Sequence, residues 1–464
     1  MTNPSGVRPR STRTSALLGR PRDWVPDLGV PVEASHLLGP VTVVATFAAS
    51  AIPFVNADGD GLGLYVGTAS ILAMAWAFLL SIRLGWSEWA FGGLDRVYVA
   101  HRWLGIVAVV LMWWHVQSKN ELESGGVAGA SENLAETGND LAGLAEPFLY
   151  VLVLASILRA LPWRIWRFTH KLLIVPFAFA SFHMITAEKP FANMSAWGLW
   201  FFVVIAAGVA AYLARVVWRD MAVRGRAHRV TAVIPHVRSV EVRLSPLRRP
   251  LRRRAGQFAF VKLRAPGMSE PHPFSIASAP NDPELTFMIR ELGDWTSSVA
   301  ANTRVGDQAI VEGPYGRLRL LPRRGRPVVW VAGGVGITPF LSALAHPPPA
   351  GMHPPTLLYA VRSATEAHAR EAIDAAAAQG RVIVHYFESR NGTPLTPTAL
   401  DDTSAGAFAG AHVVICGPTP LVRWVRRYAR SHRAHHIEAE LFDLRGGIGP
   451  DPSAALMPRP GYRS

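Results

Sequence analysis

Sulfur ligands are nearly absent from this chain, which has a single cysteine, Cys416, among 464 residues. One thiol excludes an intrachain disulfide, a cysteine-ligated iron–sulfur cluster and a cysteine-rich zinc site. Any redox metal here must be held by other donors. Charge is sparse as well: 17% of residues, with 33 acidic against 47 basic side chains and a net charge of +14. The sequence is 50% hydrophobic, too apolar for a wholly soluble protein and, at this length, too long for one domain. The arginine-rich N-terminus lacks the apolar stretch of a signal peptide, so it is expected to be a tail rather than a cleaved leader.

The hydrophobic residues are concentrated before residue 217. Six apolar runs of bilayer length lie there, roughly at 37–56, 62–82, 97–117, 141–161, 166–187 and 196–217, since about 20 residues suffice to span. Beyond 221 the runs are short, rich in Val and Ile, and broken by Gly and Pro, the pattern of a soluble β and α/β module. The charge follows topology rather than suggesting nucleic acid. Arg8, Arg10, Arg13, Arg20 and Arg22 precede the first run, Arg83 and Arg96 flank the second turn, and Arg159, Arg164, Arg167 and Lys171 lie between runs four and five. Arg215, Arg219 and Arg224 follow the sixth. The alternate loops carry Asp58 and Asp60, and then Glu121, Glu123, Glu132, Glu136 and Asp140 against Lys119. The positive-inside rule then places both ends in the cytoplasm.

Four histidines interrupt these apolar runs: His101 and His115 in the third, His170 and His183 in the fifth. Ionisable groups at membrane depth are functional by default, and histidine is both the commonest metal ligand and an axial ligand of haem. At ~1.5 Å per residue each pair spans roughly 20 Å, so each helix offers one imidazole near each face. Pairing across helices joins His101 with His170 and His115 with His183, which predicts two stacked metal centres and a path for electrons through the bilayer. Fourteen residues make close to four turns, which puts His101 and His115 on one face, but thirteen leave His170 and His183 out of phase on an ideal helix of ~3.6 residues per turn. Pro176 lies between them, and a distortion there is expected to re-aim one imidazole. Phe177, between the two ligands, reads as core packing. Lys119, four residues beyond His115, is the expected cation near the outer pocket.

The soluble half carries His272-Pro273-Phe274-Ser275-Ile276-Ala277-Ser278 and then Arg290-Glu291-Leu292-Gly293-Asp294-Trp295-Thr296. A flavin needs small hydroxyl residues at its ring edge, a cation for its pyrophosphate, and amides or hydroxyls to finish the phosphate cradle. Ser275, Arg290 and the Gly293–Thr296 turn offer that chemistry. Further on, the apolar stretch Val328–Ala332 runs into Gly333-Gly334-Val335-Gly336-Ile337-Thr338-Pro339. There glycines permit close backbone approach to a pyrophosphate, and Thr338 and Pro339 suit the start of a helix. Cys416-Gly417-Pro418 follows.

In order and spacing these motifs resemble the NADPH oxidase and ferric reductase superfamily across roughly residues 37–445. The resemblance implies a six-helix transmembrane bundle, an antiparallel β-barrel FAD domain and an α/β parallel-sheet nucleotide domain. It divides the chain into a basic tail (1–34), a haem domain (35–220), an FAD domain (221–322), an NAD(P) domain (323–445) and a flexible tail (446–464). It implies that the four histidines hold two b-type haems. It also implies that His272, Pro273, Phe274, Ser275 and Ser278 meet the flavin, that Arg290, Gly293 and Thr296 hold its phosphates, and that Phe442 covers it. Gly333, Gly334, Gly336, Thr338 and Gly417 would cradle the nicotinamide nucleotide, with Cys416 beside the nicotinamide. Arg362 and Arg390 resemble 2′-phosphate sites, favouring NADPH with NADH as the alternative. Ser275, Cys416 and Phe442 are the residues implied nearest the chemistry. The expected protein sits in a bacterial-type plasma membrane, in contact with lipid and without nucleic acid, and reduces external O2 or a ferric chelate. The alternative is a membrane-tethered cytosolic flavin reductase without haem.

Overall fold

The computed structural model describes residues 36–439 apart from 124–125, 159–160, 162, 217–224, 269, 322–324, 347–351 and 405. Arg8 to Arg22, Arg159, Arg219, Arg224, the side chain of Arg164, and Glu440 to Arg445 with Phe442 lie outside the described residues.

Six apolar segments long enough to cross a bilayer form the first half. They are α1 (Leu38–Val55), α2 (Gly61–Ser81), α4 (Leu94–Gln117), α5 (Glu132–Ile157), the pair α6 (Trp163–Lys171) and α7 (Ile174–Thr186), and α8 (Ala196–Val216); a short α3 (Gly85–Phe91) turns the chain between α2 and α4. In α2, 67% of the apolar window is buried, against 17–28% for the other spans, which makes it the central helix. Its small residues, Gly63, Gly67, Ala69, Ser70, Ala73 and Ala77, let neighbouring backbones approach, and Ser70 donates to the Ala108 carbonyl of α4 at 2.8 Å. Elsewhere Val44, Trp103, Val151 and Val203 remain exposed, as suits side chains that face lipid.

Two sequence expectations change here. The fourth span, α5, starts at Glu132, so Glu132, Glu136 and Asp140 form its first polar turns rather than a loop. The fifth span is broken between α6 and α7, at Leu172–Leu173. Proline's ring clashes with the carbonyl four residues back, and its missing N–H is tolerated in a first helical turn. Pro176 therefore sits in the first turn of α7, and the interruption falls at Leu172.

The second half begins with β1 (Arg226–His236), β2 (Ser239–Pro246), β3 (Phe258–Leu263), β4 (His272–Ser275) and β5 (Leu285–Arg290), followed by α9 (Asp294–Asn302) and β6 (Gln308–Tyr315). These strands form one antiparallel sheet in the order β4-β3-β6-β1-β2-β5. A bridge from Ile276 to Phe287 ties the two edges, curling the sheet. Arg253 is buried at this seam and donates to Ser278 Oγ (2.9 Å) and to the carbonyls of Glu284 (2.9 Å) and Ala279. Arg253→Met leaves these acceptors unmatched and should destabilise the module by about 3 kcal/mol, read as a lowered midpoint in chemical denaturation. An unchanged midpoint would mean the seam closes without it.

The third unit contains β7 (Val328–Gly333), α10 (Thr338–Leu344), β8 (Thr356–Val361), α11 (Arg370–Ala378), β9 (Ile383–Glu388), α12 (Pro397–Ser404), β10 (His412–Cys416), α13 (Thr419–Ser431) and β11 (His436–Ala439). The sheet is parallel, in the order β11-β10-β7-β8-β9. Every residue of β7 is buried, as expected for a strand covered on both faces.

Candidate functional site

The four intramembrane histidines converge in two pairs. His101 and His170 have ring centroids 5.9 Å apart, and His115 and His183 have theirs 6.3 Å apart. Two imidazoles bound through nitrogen to opposite sides of one metal ion, at about 2 Å per bond, have ring centres roughly 6 Å apart. The break between α6 and α7 is what allows His183 to face the same partner helix as His170. In three of the four rings the Nδ1 nitrogen has a partner. His101 Nδ1 lies 2.8 Å from the Ala77 carbonyl and His115 Nδ1 2.8 Å from the Gly63 carbonyl, both on α2. A carbonyl only accepts, so Nδ1 must carry the proton, which leaves the lone pair on Nε2, as metal-binding histidines require. His170 Nδ1 meets Ser156 Oγ at 2.9 Å while that hydroxyl donates to the Leu152 carbonyl. His170 also stacks on Trp166 with centroids 5.0 Å apart. His183 Nδ1 is buried with no partner among the described residues.

A cavity of about 270 Å³ opens beside the second pair, lined by His115, His183, Gly67, Met112, Gly143 and Lys189 among others. A Cβ on Gly67 would fall 2.7 Å from His115 Nδ1, so only glycine lets the ring seat there. The cavity's cation is Lys189, not Lys119, which is exposed. Lys189 is buried, its Nζ donates to the carbonyls of Ile185 and Ala187 (3.0 Å each), and burial pushes its pKa down to about 8. Its only mark in the sequence was a basic residue just beyond the fifth span. Phe177 is fully buried, edge-on to Phe78 and against Gly208, which fits packing. Donor chemistry, ring separation and an apolar cavity all fit a bis-histidine haem.

At the opposite end of the bundle, Phe258, Phe260, Ile310 and Tyr315 of the curled sheet join the bundle's own core. The flavin motif adjoins them: His272 lies opposite Val261, Phe274 opposite Ala259, and Ser275, which is buried, opposite Phe258. Trp295, which sequence reasoning left unassigned, packs on His272 at 4.2 Å and stacks on Phe274 at 5.8 Å. Burial, then the Arg167 charge on α6, pushes the His272 imidazole down to about 4, so it is neutral at physiological pH.

Other expected residues have structural partners. Ser278 Oγ donates to the Glu284 carbonyl (3.0 Å) and accepts from Thr286 N–H and Arg253, so it shapes the turn. Thr296 Oγ1 accepts from the N–H groups of Leu292 (2.9 Å) and Gly293 (3.0 Å), closing the loop at the start of α9. Arg290, at the end of β5, is half-buried. Its pKa is pulled below the usual arginine value by burial, and then by the nearby charges of Arg362 and Arg238. Arg362 has a buried Nη1 without a partner among the described residues. Sequence reasoning placed Arg290 and Arg362 in separate phosphate sites and passed over Arg238. The structure brings the three together at the seam between the two modules, a concentration of positive charge suited to phosphate. Arg390 lies next to it: its backbone N–H donates to the Arg362 carbonyl at 2.8 Å, and its exposed guanidinium is 3.9 Å from the Glu366 carboxylate.

In the parallel sheet, Gly333 ends β7, and Gly334, at φ +56°, opens a tight turn to Ile337. A Cβ on Gly336 would lie 2.2 Å from the Cys416 carbonyl, so the glycine-rich turn is packed directly on Cys416 and Gly417. Thr338 does not cap the following helix. The tight turn intervenes, and its hydroxyl donates to the Val335 carbonyl at 2.9 Å.

A membrane-spanning bundle, a curled antiparallel sheet and a parallel nucleotide sheet together define a membrane flavoprotein oxidoreductase. A family model for the ferric reductase like transmembrane component matches residues 66–182, and one for an FAD-binding domain matches residues 228–319. The chain joins a ferric-reductase-like transmembrane component to an FAD-binding module with relatives among ferredoxin-reductase-type proteins and respiratory burst oxidase homologs. It is 31% identical to the ferredoxin–NAD(P)(+) reductase component of the naphthalene 1,2-dioxygenase system of Pseudomonas putida, over 49% of this chain and 70% of that one. It is 30% identical to the reductase component of propane 2-monooxygenase from Mycolicibacterium goodii, over 42% of this chain and 60% of that one. It is 34% identical to respiratory burst oxidase homolog protein A of Solanum tuberosum, over 20% of this chain but 12% of that one.

Proposed function

We propose that this oxidoreductase carries electrons from a nicotinamide nucleotide, through FAD and two b-type haems, to an acceptor across the membrane, either O2 or a ferric chelate. The observation that carries this reading is the pair of histidine clusters, each at the spacing of one shared metal ion, with the curled sheet sharing the hydrophobic core of the bundle that carries them. The charge asymmetry of the loops supports a cytoplasmic side for both termini and both nucleotide modules, in a membrane read as a bacterial-type plasma membrane. The division into tail, haem domain (35–220), FAD domain (221–322), NAD(P) domain (323–445) and tail follows the same reading.

A bound flavin supplies the conversion between a hydride's electron pair and single electrons, and a haem b supplies one-electron exchange. The protein's residues hold and shield these groups. His101 and His170 would hold the inner haem and His115 and His183 the outer, with Nε2 the nitrogen left to bind in His101 and His115. Arg290, with Arg238 and Arg362 nearby, would bind FAD phosphate, and the turn at Asp294–Thr296 that opens α9 would present backbone amides to it, the Gly293 amide being held by Thr296 Oγ1. His272, Pro273, Phe274 and Ser275 line the flavin ring, with neutral His272 held against Trp295. By the family resemblance Phe442, which lies outside the described residues, would cover that ring. Gly333, Gly334, Gly336, Thr338, Cys416 and Gly417 let the nicotinamide nucleotide approach the backbone closely, and Arg362 with Arg390 favours a 2′-phosphate and so NADPH over NADH.

One experiment tests the core of this. Purified protein is reduced anaerobically with NADPH or NADH, and the reduced-minus-oxidised spectrum is recorded. Two b-type haems per chain, reduced faster by NADPH, are expected. A flavin spectrum alone would make the helices a tether. Cytochrome c reduction with and without superoxide dismutase then separates O2 from ferric acceptors.

A further inference from the structure

Between the bundle and the curled sheet lies a buried polar cluster that none of the functions above uses. Its centre is Arg83, just beyond the end of α2, with 8% of its surface exposed. The Arg83 Nε donates to Tyr98 Oη at 2.7 Å. The guanidinium lies over the Phe260 ring, 3.7 Å from its centroid, and its Nη1 is 4.0 Å from Glu312 Oε2. Tyr315 Oη donates to Glu312 Oε1 at 2.6 Å. Next to them, Gly316 N–H donates to Glu88 Oε1 of α3 at 2.6 Å. Glu312, Phe260 and Tyr315 are all buried.

The backbone adds a second observation. Arg83 has φ +58°, at the position after a helix cap where glycine is usual because L side chains are strained there. Such strain persists where surrounding contacts over-determine it, and it gathers at functional positions. Here the contacts are the aromatic face, the hydroxyl and the carboxylate gathered around one guanidinium. A planar fork that stacks and donates at once is specific to arginine. Buried charge pairs add little net stability, and their best-attested use is to specify register.

The cluster's neighbours show which register is at stake. Tyr98 precedes His101 on α4 by three residues, and α2 also supplies the Ala77 carbonyl that orients His101. On the other side Phe260 lies opposite Pro273, inside the flavin motif. We propose that Arg83 is a positioning residue that fixes the flavin-binding strand against the helix carrying His101, and so sets the geometry of electron passage from the flavin module into the membrane. This rests on the electron path proposed above.

The test uses the full-length protein with Arg83→Gly, which removes the side chain where glycine's backbone is at ease, and Tyr98→Phe, which removes one hydroxyl. Stopped-flow mixing with NADPH follows flavin bleaching and then the b-type absorbance change, while hydrogen exchange follows the Gly316 amide. For Arg83→Gly, flavin bleaching at the wild-type rate, a second phase slowed about tenfold or more and faster exchange at Gly316 are expected, with the same pattern, weaker, for Tyr98→Phe. A second phase at the wild-type rate in Arg83→Gly overturns the proposal, as does unchanged exchange. If the wild-type protein shows no b-type absorbance, the proposed function fails by itself. The exchange arm still decides whether Arg83 holds the two modules together.

Discussion

Replacing His115 by alanine should abolish reduction of external acceptors while flavin reduction by NADPH proceeds as before. The physical case is the geometry around that ring. His115 Nδ1 is tied to the Gly63 carbonyl, Gly67 leaves room for the ring, and Nε2 is left to face His183 across the cavity. Loss of the hydrogen bond that orients a ligand histidine alone costs roughly 10–100-fold in metal affinity, so removing the ligand should cost about 10²-fold or more. The inner pair, His101 and His170, is separate, with its own anchors at Ala77 and Ser156. The b-type signal should therefore fall to about half rather than vanish. Stopped-flow flavin bleaching, the reduced-minus-oxidised spectrum and external cytochrome c or ferric chelate reduction together read this out. External reduction at the wild-type rate would sink the transmembrane route.

Arg290→Gln should release FAD. Burial, and then the charges of Arg362 and Arg238, depress its pKa, with Glu366 opposing them. In the ligand-free protein these like charges oppose one another, so removing one should leave apoprotein stability unchanged or raised. With a phosphate present the sign reverses, because a charge-assisted hydrogen bond contributes about 1.5–3 kcal/mol, or roughly 10- to 150-fold in affinity. Flavin retention on gel filtration and FAD titration of apoprotein give the affinity, and denaturation of the apoprotein gives the stability. Wild-type FAD affinity in the variant would remove Arg290 from the phosphate site. Arg253→Met makes a useful contrast, since it should lower stability through lost internal partners without touching a phosphate.

Much of this could be read before any coordinates. The six spans were visible because a bilayer demands long apolar runs, and the single cysteine left histidine as the natural redox-metal ligand. The flavin and nucleotide motifs stood out because hydroxyl, arginine and glycine residues recur there in a set order. The mismatch of His170 and His183 on an ideal helix was also legible, as was the involvement of Pro176. Its consequence was harder to place: the break falls at Leu172–Leu173, four residues upstream, where proline's ring meets the carbonyl.

What escaped the sequence shares one cause. Lys119 was the obvious cation by distance along the chain, yet the cavity holds Lys189, which a return of the loop after α7 carries inward. Ser278 and Thr296 looked like ligand groups by type, but neighbouring backbone groups claim their hydroxyls. Arg238, Arg290 and Arg362 come from a hairpin, a strand end and another sheet, and no local pattern announces that they converge. Arg83 read only as a topological charge, whereas it lies buried between two modules.

The amino-acid sequence alone therefore determined the apolar spans, the ligand chemistry and the order of the modules, because each depends on residue type and short-range periodicity. Tertiary structure decided which groups meet: the two histidine pairs across a broken helix, the three arginines at the seam, Lys189 in the cavity and Arg83 between bundle and sheet. Those meetings depend on how helices and sheets pack over distances that no short stretch of sequence encodes.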